Sequence, residues 1–357
     1  MTQNTPETFP RTIGMDLGVR RSSYAILNAG GEWVGEDSLK MSRDGMRQFF
    51  SSQPRSRLVI EACGPCRWVA ELAKECDHEV VVANPREFRL ISCSHKKSDR
   101  NDARILAEFG RVRPTLLHPI QLRGLKCQVA RNTLRNRDQL VRQRTQLINT
   151  IRAEVRGLGE SLPTCAAYVF HRKVRDQIPA VLQAAIYPLF DLLASLATAI
   201  KQLEDEIAEL SAKQFSKAGT EIMRQVAGVG PITALAFVAT IEDPSRFKKS
   251  RDVGPYVGLA SKSRSSGSKN PELRISKRGD ALLRRLLVNA ATYIMRPNSE
   301  DSDLRRFGER IQGRGGQAAR GKARIAVARK LSVLLHRLWT TAEVYDPMRN
   351  ANKLASV

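Results

Sequence analysis

The 357-residue sequence predicts an α/β unit followed by a mainly helical body, the class α/β plus α. Three observations carry that expectation. Residues 11–110 alternate short apolar runs with amphipathic stretches, the pattern of strands interleaved with helices. From about residue 122 the apolar residues recur at three- and four-residue spacing instead. The charge divides near the same place, since residues 1–110 hold 16 Lys/Arg against 15 Asp/Glu and the remaining 247 hold 43 against 21. The body therefore carries nearly all of the net charge of +23. An excess of that size calls for a polyanionic partner, nucleic acid first. With 42% hydrophobic residues the chain has the material for two or three folded domains rather than disorder.

Taken in order, Thr12–Leu17 and Ser23–Asn28 read as strands, with Ala29-Gly-Gly-Glu32 as the hairpin turn before a third at Trp33-Val34. A helix fits Arg43–Phe50. Strand Arg57–Ala62, helix Arg67–Glu75 and strand Glu79–Ala83 follow, and Asn84-Pro85 ends the run. A helix from about Ser98 to Val112 closes the unit. A hairpin followed by alternating strands and helices predicts a mixed sheet with helices on its faces.

In the body, Leu122–Leu158 reads as one long helix bearing Arg131, Arg135, Arg137, Arg142, Arg144, Arg152 and Arg156. Only Asp138 and Glu154 interrupt these cations, so the stripe is either a solvated face or a nucleic-acid contact. Gly157-Leu-Gly159 and Pro163 break the helix. Leu189, Leu193, Leu196, Ile200, Leu203, Ile207 and Leu210 then form a coiled-coil seam, from an antiparallel hairpin or from a dimerising arm. The apolar stretch Ala184–Ile200 is broken by Pro188 and Asp191 and runs into charged helix. It reads as a packed helix, with no membrane partner expected.

Val226-Ala-Gly-Val-Gly-Pro-Ile-Thr-Ala234 has the G-x-G-P turn of a helix-hairpin-helix, where Gly228 and Gly230 let the backbone approach a phosphate. An ordinary tight turn is the alternative. A polar loop, Arg264-Ser-Ser-Gly-Ser-Lys-Asn270, leads into Ile275-Ser-Lys-Arg-Gly279 and the basic helix Ala281–Met295. Gly313-Arg-Gly-Gly316 precedes a last amphipathic helix near 323–339. Six cysteines in a chain this long do not make a disulfide framework. Met1–Pro10 is polar and lacks the apolar core of a signal peptide, so a cytoplasmic location is expected.

Acids stand out where apolar residues belong. Asp16 interrupts the first strand and Glu61 ends the fourth, while Asp99 and Asp102 share one helix face at a spacing of three. A lone buried charge is costly, so such acids need a metal or a cationic partner. Two divalent cations would stabilise four converging carboxylates and make them reactive toward a phosphodiester. In this order, before a basic remainder, the set favours a ribonuclease-H-like nuclease or transposase core. Cys63-Gly-Pro-Cys66 has the spacing of a thioredoxin-like dithiol, but that reading leaves the four acids and the basic body unexplained. An actin-like kinase also carries a strand-borne aspartate before glycine, yet no second phosphate motif follows here.

The ordered set G-M-D-L-G, V-I-E-A-C-G-P, K-S-D-R-N-D-A, V-A-G-V-G-P-I-T-A, Y-V-G-L-A, S-S-G-S and I-S-K-R-G-D-x-L-L-R-R-L-L resembles the DEDD transposases of the one-ten insertion-sequence family. These are relatives of the Piv-type invertases, and the chain resembles their eleven-eleven branch. The resemblance covers roughly residues 11–300. It implies a RuvC-like DEDD domain (11–115), a helical coiled-coil connector (116–215) and a mainly helical transposase domain with a serine loop and a helix-hairpin-helix-like motif (216–345). It further implies Mg2+ held by Asp16, Glu61, Asp99 and Asp102, with Ser266 as covalent nucleophile. The implied partners are donor and target DNA, a structured bridge RNA as guide, and further copies of the chain in a dimer or tetramer.

Gly228, Gly230, Arg264, Lys269, Lys277, Arg278, Arg284 and Arg285 are the expected nucleic-acid contacts. A serine needs a base or a metal to become a good nucleophile, and no histidine lies near Ser266 in sequence. Ser263 and Ser265 are its neighbouring rivals. The chain departs from the family at Cys63, where threonine is common. A RuvC-like nuclease that hydrolyses DNA without a covalent serine, or a non-catalytic nucleic-acid binder, would share much of this pattern.

Overall fold

The computed structural model describes residues 9–85, 98–215, 219–262, 273–316 and 318–350. Two compact units divide the chain, Met1–Leu122 and Arg123–Val357. The first is built on a five-stranded sheet of β1 (Arg11–Asp16), β2 (Arg21–Asn28), β3 (Trp33–Lys40), β4 (Arg57–Glu61) and β5 (Glu79–Ala83), in the order β3-β2-β1-β4-β5. Short turns join the first three strands, so they pair antiparallel. Gly31, at φ 91°, makes the second of those turns. Helices α1 (Arg43–Ser52) and α2 (Cys66–Glu75) supply the crossovers that let β4 lie parallel to β1 and β5 parallel to β4. The mixed sheet expected from the sequence is the sheet found.

Period-two alternation sorts the strand residues to two faces. Ile13, Met15, Leu58, Ile60 and Val82 pack with Met46, Phe50, Val69 and Leu72 of α1 and α2. On the other face Val59, Val81 and Ala83 meet Leu106 of α3 (Asp99–Val112). Ser98 caps α3, its hydroxyl accepting from the Asn101 N–H at 3.2 Å.

The second unit is helical. Helix α4 (Leu125–Gly157) and helix α5 (Ala180–Glu209) pack along one another. They run antiparallel, because Ile151 and Val155 share a core with Ile186 and Phe190 while Ala130 and Leu134 share another with Ile207 and Leu210. The seam read from sequence is thus buried within the chain at Leu193, Leu196, Ile200, Ile207 and Leu210. By length and composition the segment Ala180–Gln214 is also apolar enough to cross a membrane. Helix α6 (Pro231–Ile241) has a sequence that is apolar on every side, and residues 233–241 are all buried. Around it lie α4, α5 and α7 (Ala281–Ile294), and Phe237 of α6 meets Trp339 of α9 (Ala319–Thr341) edge-on. Helix α8 (Asp303–Gln312) packs on α9.

The arginine stripe on α4, read as solvated or as facing nucleic acid, is in good part an internal ion-pair set. Arg131 pairs with Asp280 at 2.6 Å, the Arg137 Nε donates to Glu204 at 3.0 Å, and Arg142 pairs with Asp138 at 3.0 Å. Arg152 donates to the carbonyls of Leu162 and Pro163. The counter-charges for Arg131 and Arg137 come from residues far along the chain, out of reach of a local charge count.

Candidate active site at the carboxyl end of the sheet

Asp16 and Glu61 end two adjacent parallel strands. Met15 pairs with Ile60, so the two acids stand level one residue further on. Alternation puts Asp16 on the face of Thr12 and Gly14, and Glu61 on the face of Val59. That is the face covered by α3. Both side chains are half-buried.

Gly14 and Gly110 bring α3 down onto this face. A Cβ on Gly14 would lie 2.1 Å from the Ala103 carbonyl oxygen and 2.4 Å from the Ala107 nitrogen, and one on Gly110 would lie 2.3 Å from Val59 Cγ2. Only glycine allows this approach. Gly110 also lies over Thr12 while Ala103 and Ala107 lie over Gly14, so the helix runs antiparallel to β1. Two residues of strand advance about 6.6 Å from Gly14 to Asp16. One to four residues of helix retreat about 1.5–6 Å from Ala103 to Asp102 and Asp99. Both displacements point the same way, so the first turn of α3 reaches the strand ends that bear Asp16 and Glu61. Asp102 is half-buried there and Asp99 is exposed. Among the described residues no group of three or more His, Cys, Asp or Glu is close enough to hold a metal ion.

Cys63-Gly-Pro-Cys66 forms the turn from β4 into α2, two residues past Glu61. Cys63 is exposed, Cys66 is buried, and both are free thiols. Hydrogen bonding to Cys66, and burial after it, push the Cys63 thiol up; the same hydrogen bond brings Cys66 down to about 7.

In the second unit residues 258–262 and 274–277 form a closed ladder. Ser261 and Ile275 form an antiparallel bridge, and the N–H groups of Lys262, Ser276 and Lys277 donate to the carbonyls of Arg274, Ala260 and Gly258. Ser266, its rivals Ser263 and Ser265, and the expected contacts Arg264 and Lys269 lie outside the described residues. Lys277 and Arg278 are exposed beside the ladder. Arg284 ties this region together by donating to the Val257 and Arg278 carbonyls at 3.2 and 2.8 Å, and Arg285 pairs with Asp138 of α4. Gly228 turns at φ 79° against α7, where a Cβ would meet the Ala290 carbonyl at 3.0 Å; Gly230 caps α6 in open space.

Two sets of residues were missed from sequence. Gly14 and Gly110 let α3 pack closely on the sheet, and a glycine inside a strand was the available signal. Lys322, Arg329 and Lys330 line a basic cleft, and the recurrence of cations at seven and eight residues on a terminal helix could have pointed to them.

Residues 13–158 match a DEDD transposase family named for IS110, and residues 220–306 match the transposase family IS116/IS110/IS902. The chain is 28% identical over 354 residues to a "Probable family 20 transposase" of Pseudomonas aeruginosa, covering 94% of this chain and 98% of that one. It is 28% identical over 298 residues to the transposase for insertion sequence element IS1111A of Coxiella burnetii, covering 81% and 79%. With the transposase for IS1328 of Yersinia enterocolitica it shares 27% over 339 residues, covering 94% and 98%.

Proposed function

Because this chain belongs to the IS116/IS110/IS902 family of transposases, we propose that it cuts and rejoins the DNA of an insertion sequence by serine transesterification. The observation that supports this most directly is the arrival of Asp16, Glu61 and the first turn of α3 at one end of one sheet face. The donor set is all carboxylate, which suits a hard divalent cation such as Mg2+. Held by Asp16, Glu61, Asp99 and Asp102, that cation would neutralise phosphate charge and activate an attacking hydroxyl.

The chain's own residues do the rest. The β-ladder fixes Asp16 and Glu61, one per strand, and α3 delivers Asp99 and Asp102. Ser266 supplies the hydroxyl: its Oγ bonds to phosphorus, the deoxyribose oxygen leaves with a proton, and a serine ester holds the strand for rejoining. The neighbouring cations, Lys277 and Arg278 among them, hold the scissile phosphate and stabilise charge as it develops. Gly228 and Gly230 offer backbone amides to a second phosphate.

The division into 11–115, 116–215 and 216–345 is the functional one in this reading. The basic body binds a guide RNA as well as donor and target DNA. The assembly is a dimer or tetramer because two duplexes must be united, and it works in the cytoplasm, where its DNA lies. Incubating the protein with an insertion-sequence end in Mg2+ and resolving the products on a denaturing gel tests the central step. A protein–DNA adduct is expected. Cleaved ends with no adduct at any time would replace the recombinase with a hydrolytic nuclease.

A further inference from the structure

The second unit holds a cleft of about 800 Å³ whose walls carry Arg274, Lys277, Lys322, Arg329 and Lys330, with no carboxylate in its lining among the described residues. Lys322, Arg329 and Lys330 come from one face of α9, since spacings of seven and eight are two helical turns. All five cations are exposed. Helix α9 lies beyond residues 13–158 and 220–306, the regions that match family models, so those matches assign these three cations no role.

The cations are held rather than left to wander. Lys330 Nζ sits 3.8 Å from the centroid of the Phe307 ring, a cation–π contact that fixes the ammonium. The Arg329 stem lies against Gly254, where a Cβ would meet its Cγ at 2.9 Å. Lys277 keeps φ at 55°, a conformation that costs a non-glycine residue energy, and its N–H is bound to the Gly258 carbonyl at 3.2 Å.

Between the cations the wall is apolar, with Leu259, Ile275, Ile325 and Val333. A duplex presents phosphates and keeps its base faces stacked inside, so such a wall has nothing to cover. A single strand presents phosphates and bare bases together. Ser261 and Leu273, one on each side of the serine loop, also line the cleft.

We infer that this cleft holds a single DNA strand next to the scissile phosphate, its phosphates on the five cations and its bases on the apolar wall. The choice of DNA rests on the recombinase reading above. The test uses full-length protein and a fluorescent 15-nucleotide DNA strand, the matching duplex and an RNA strand of the same sequence, titrated over a range of salt. Each phosphate contact to a single strand contributes about 0.7 to the slope of log affinity against log salt. The double variant Lys322→Gln/Lys330→Gln should therefore lose about 1.4 in slope on the DNA strand and little on the duplex. Both substitutions are at exposed positions, so folding is preserved. An unchanged slope on the DNA strand overturns the cleft and leaves the recombinase standing. A loss seen only with RNA overturns the assignment to DNA. Wild-type protein that binds no DNA at all would overturn the recombinase reading itself.

Discussion

Gly14→Ala tests whether close packing of α3 assembles the acid site. The added Cβ would stand 2.1 Å from the Ala103 oxygen, where ordinary contact begins at 3.4 Å, so the helix must withdraw by about 1.3 Å. Backbone, not a flexible side-chain tip, is what it meets. Overpacking of this kind costs about 1–3 kcal/mol. The first turn of α3 moves with the rest, and a displacement of about 1 Å in a catalytic group costs on the order of 100-fold in rate. Two assays follow: urea unfolding by circular dichroism, and Mg2+-dependent cleavage of a plasmid carrying the insertion-sequence end. Gly64→Ala is the control, since nothing lies within 4 Å of a Cβ there. The expectation is a lower midpoint and about 100-fold slower cleavage for Gly14→Ala, with neither change for Gly64→Ala. Wild-type cleavage by Gly14→Ala would refute the idea that this contact positions Asp99 and Asp102.

Asp16→Asn and Glu61→Gln should each abolish cleavage while nucleic-acid binding, measured by gel shift, stays within about twofold, because the phosphate-binding charge lies in the body. Ser266→Ala should lose both strand exchange and the covalent adduct, whereas Ser265→Ala keeps them; the reverse result moves the nucleophile by one residue. Asp280→Asn should keep the cap to the Leu283 N–H but leave the half-buried guanidinium of Arg131 without its carboxylate, lowering stability by about 1.5–3 kcal/mol in urea unfolding. Burial acts to raise the Asp280 carboxyl, but the Leu283 N–H and the Arg131 and Arg135 guanidiniums outweigh it and hold it low. A depressed carboxyl contributes stability that is complete above its unfolded value, about 3.9, and lost as pH falls through the folded one. The wild-type midpoint should therefore drop below about pH 4 more steeply than that of Asp280→Asn; parallel curves would remove Asp280 from the account.

Much of the first unit was legible because β1, β2, β4 and β5 each carry a short apolar run and two acids break that pattern at Asp16 and Glu61. A charge inside an apolar run is visible without knowing its neighbours. The contact that seats α3 on the sheet was not, since Gly14 has meaning only against Ala103 and Ala107, some ninety residues on. Long-range pairing also hid the purpose of the α4 arginines. Arg131 and Asp280 are separated by 149 residues, and a local count of charge sees only an unopposed cation. The ladder that joins residues 258–262 to 274–277 was not legible either, since it depends on hydrogen bonds that leave no side-chain signature.

The helical hairpin has two separate cores, and this has a bearing on how it opens. On α4 the first core ends at Leu134 and the second begins at Ile148; on α5 the second ends at Leu193 and the first resumes at Ile207. Each helix thus spans 14 residues, about 21 Å, between the cores. Leu196 and Ile200 are buried in that span, alongside the Arg137–Glu204 ion pair. Sparse apolar packing between two denser clusters defines separate cooperative units. The amides of the distal turns should then exchange with deuterium in a step of their own, ahead of those in α6, and the hairpin can yield at its middle while the base stays folded.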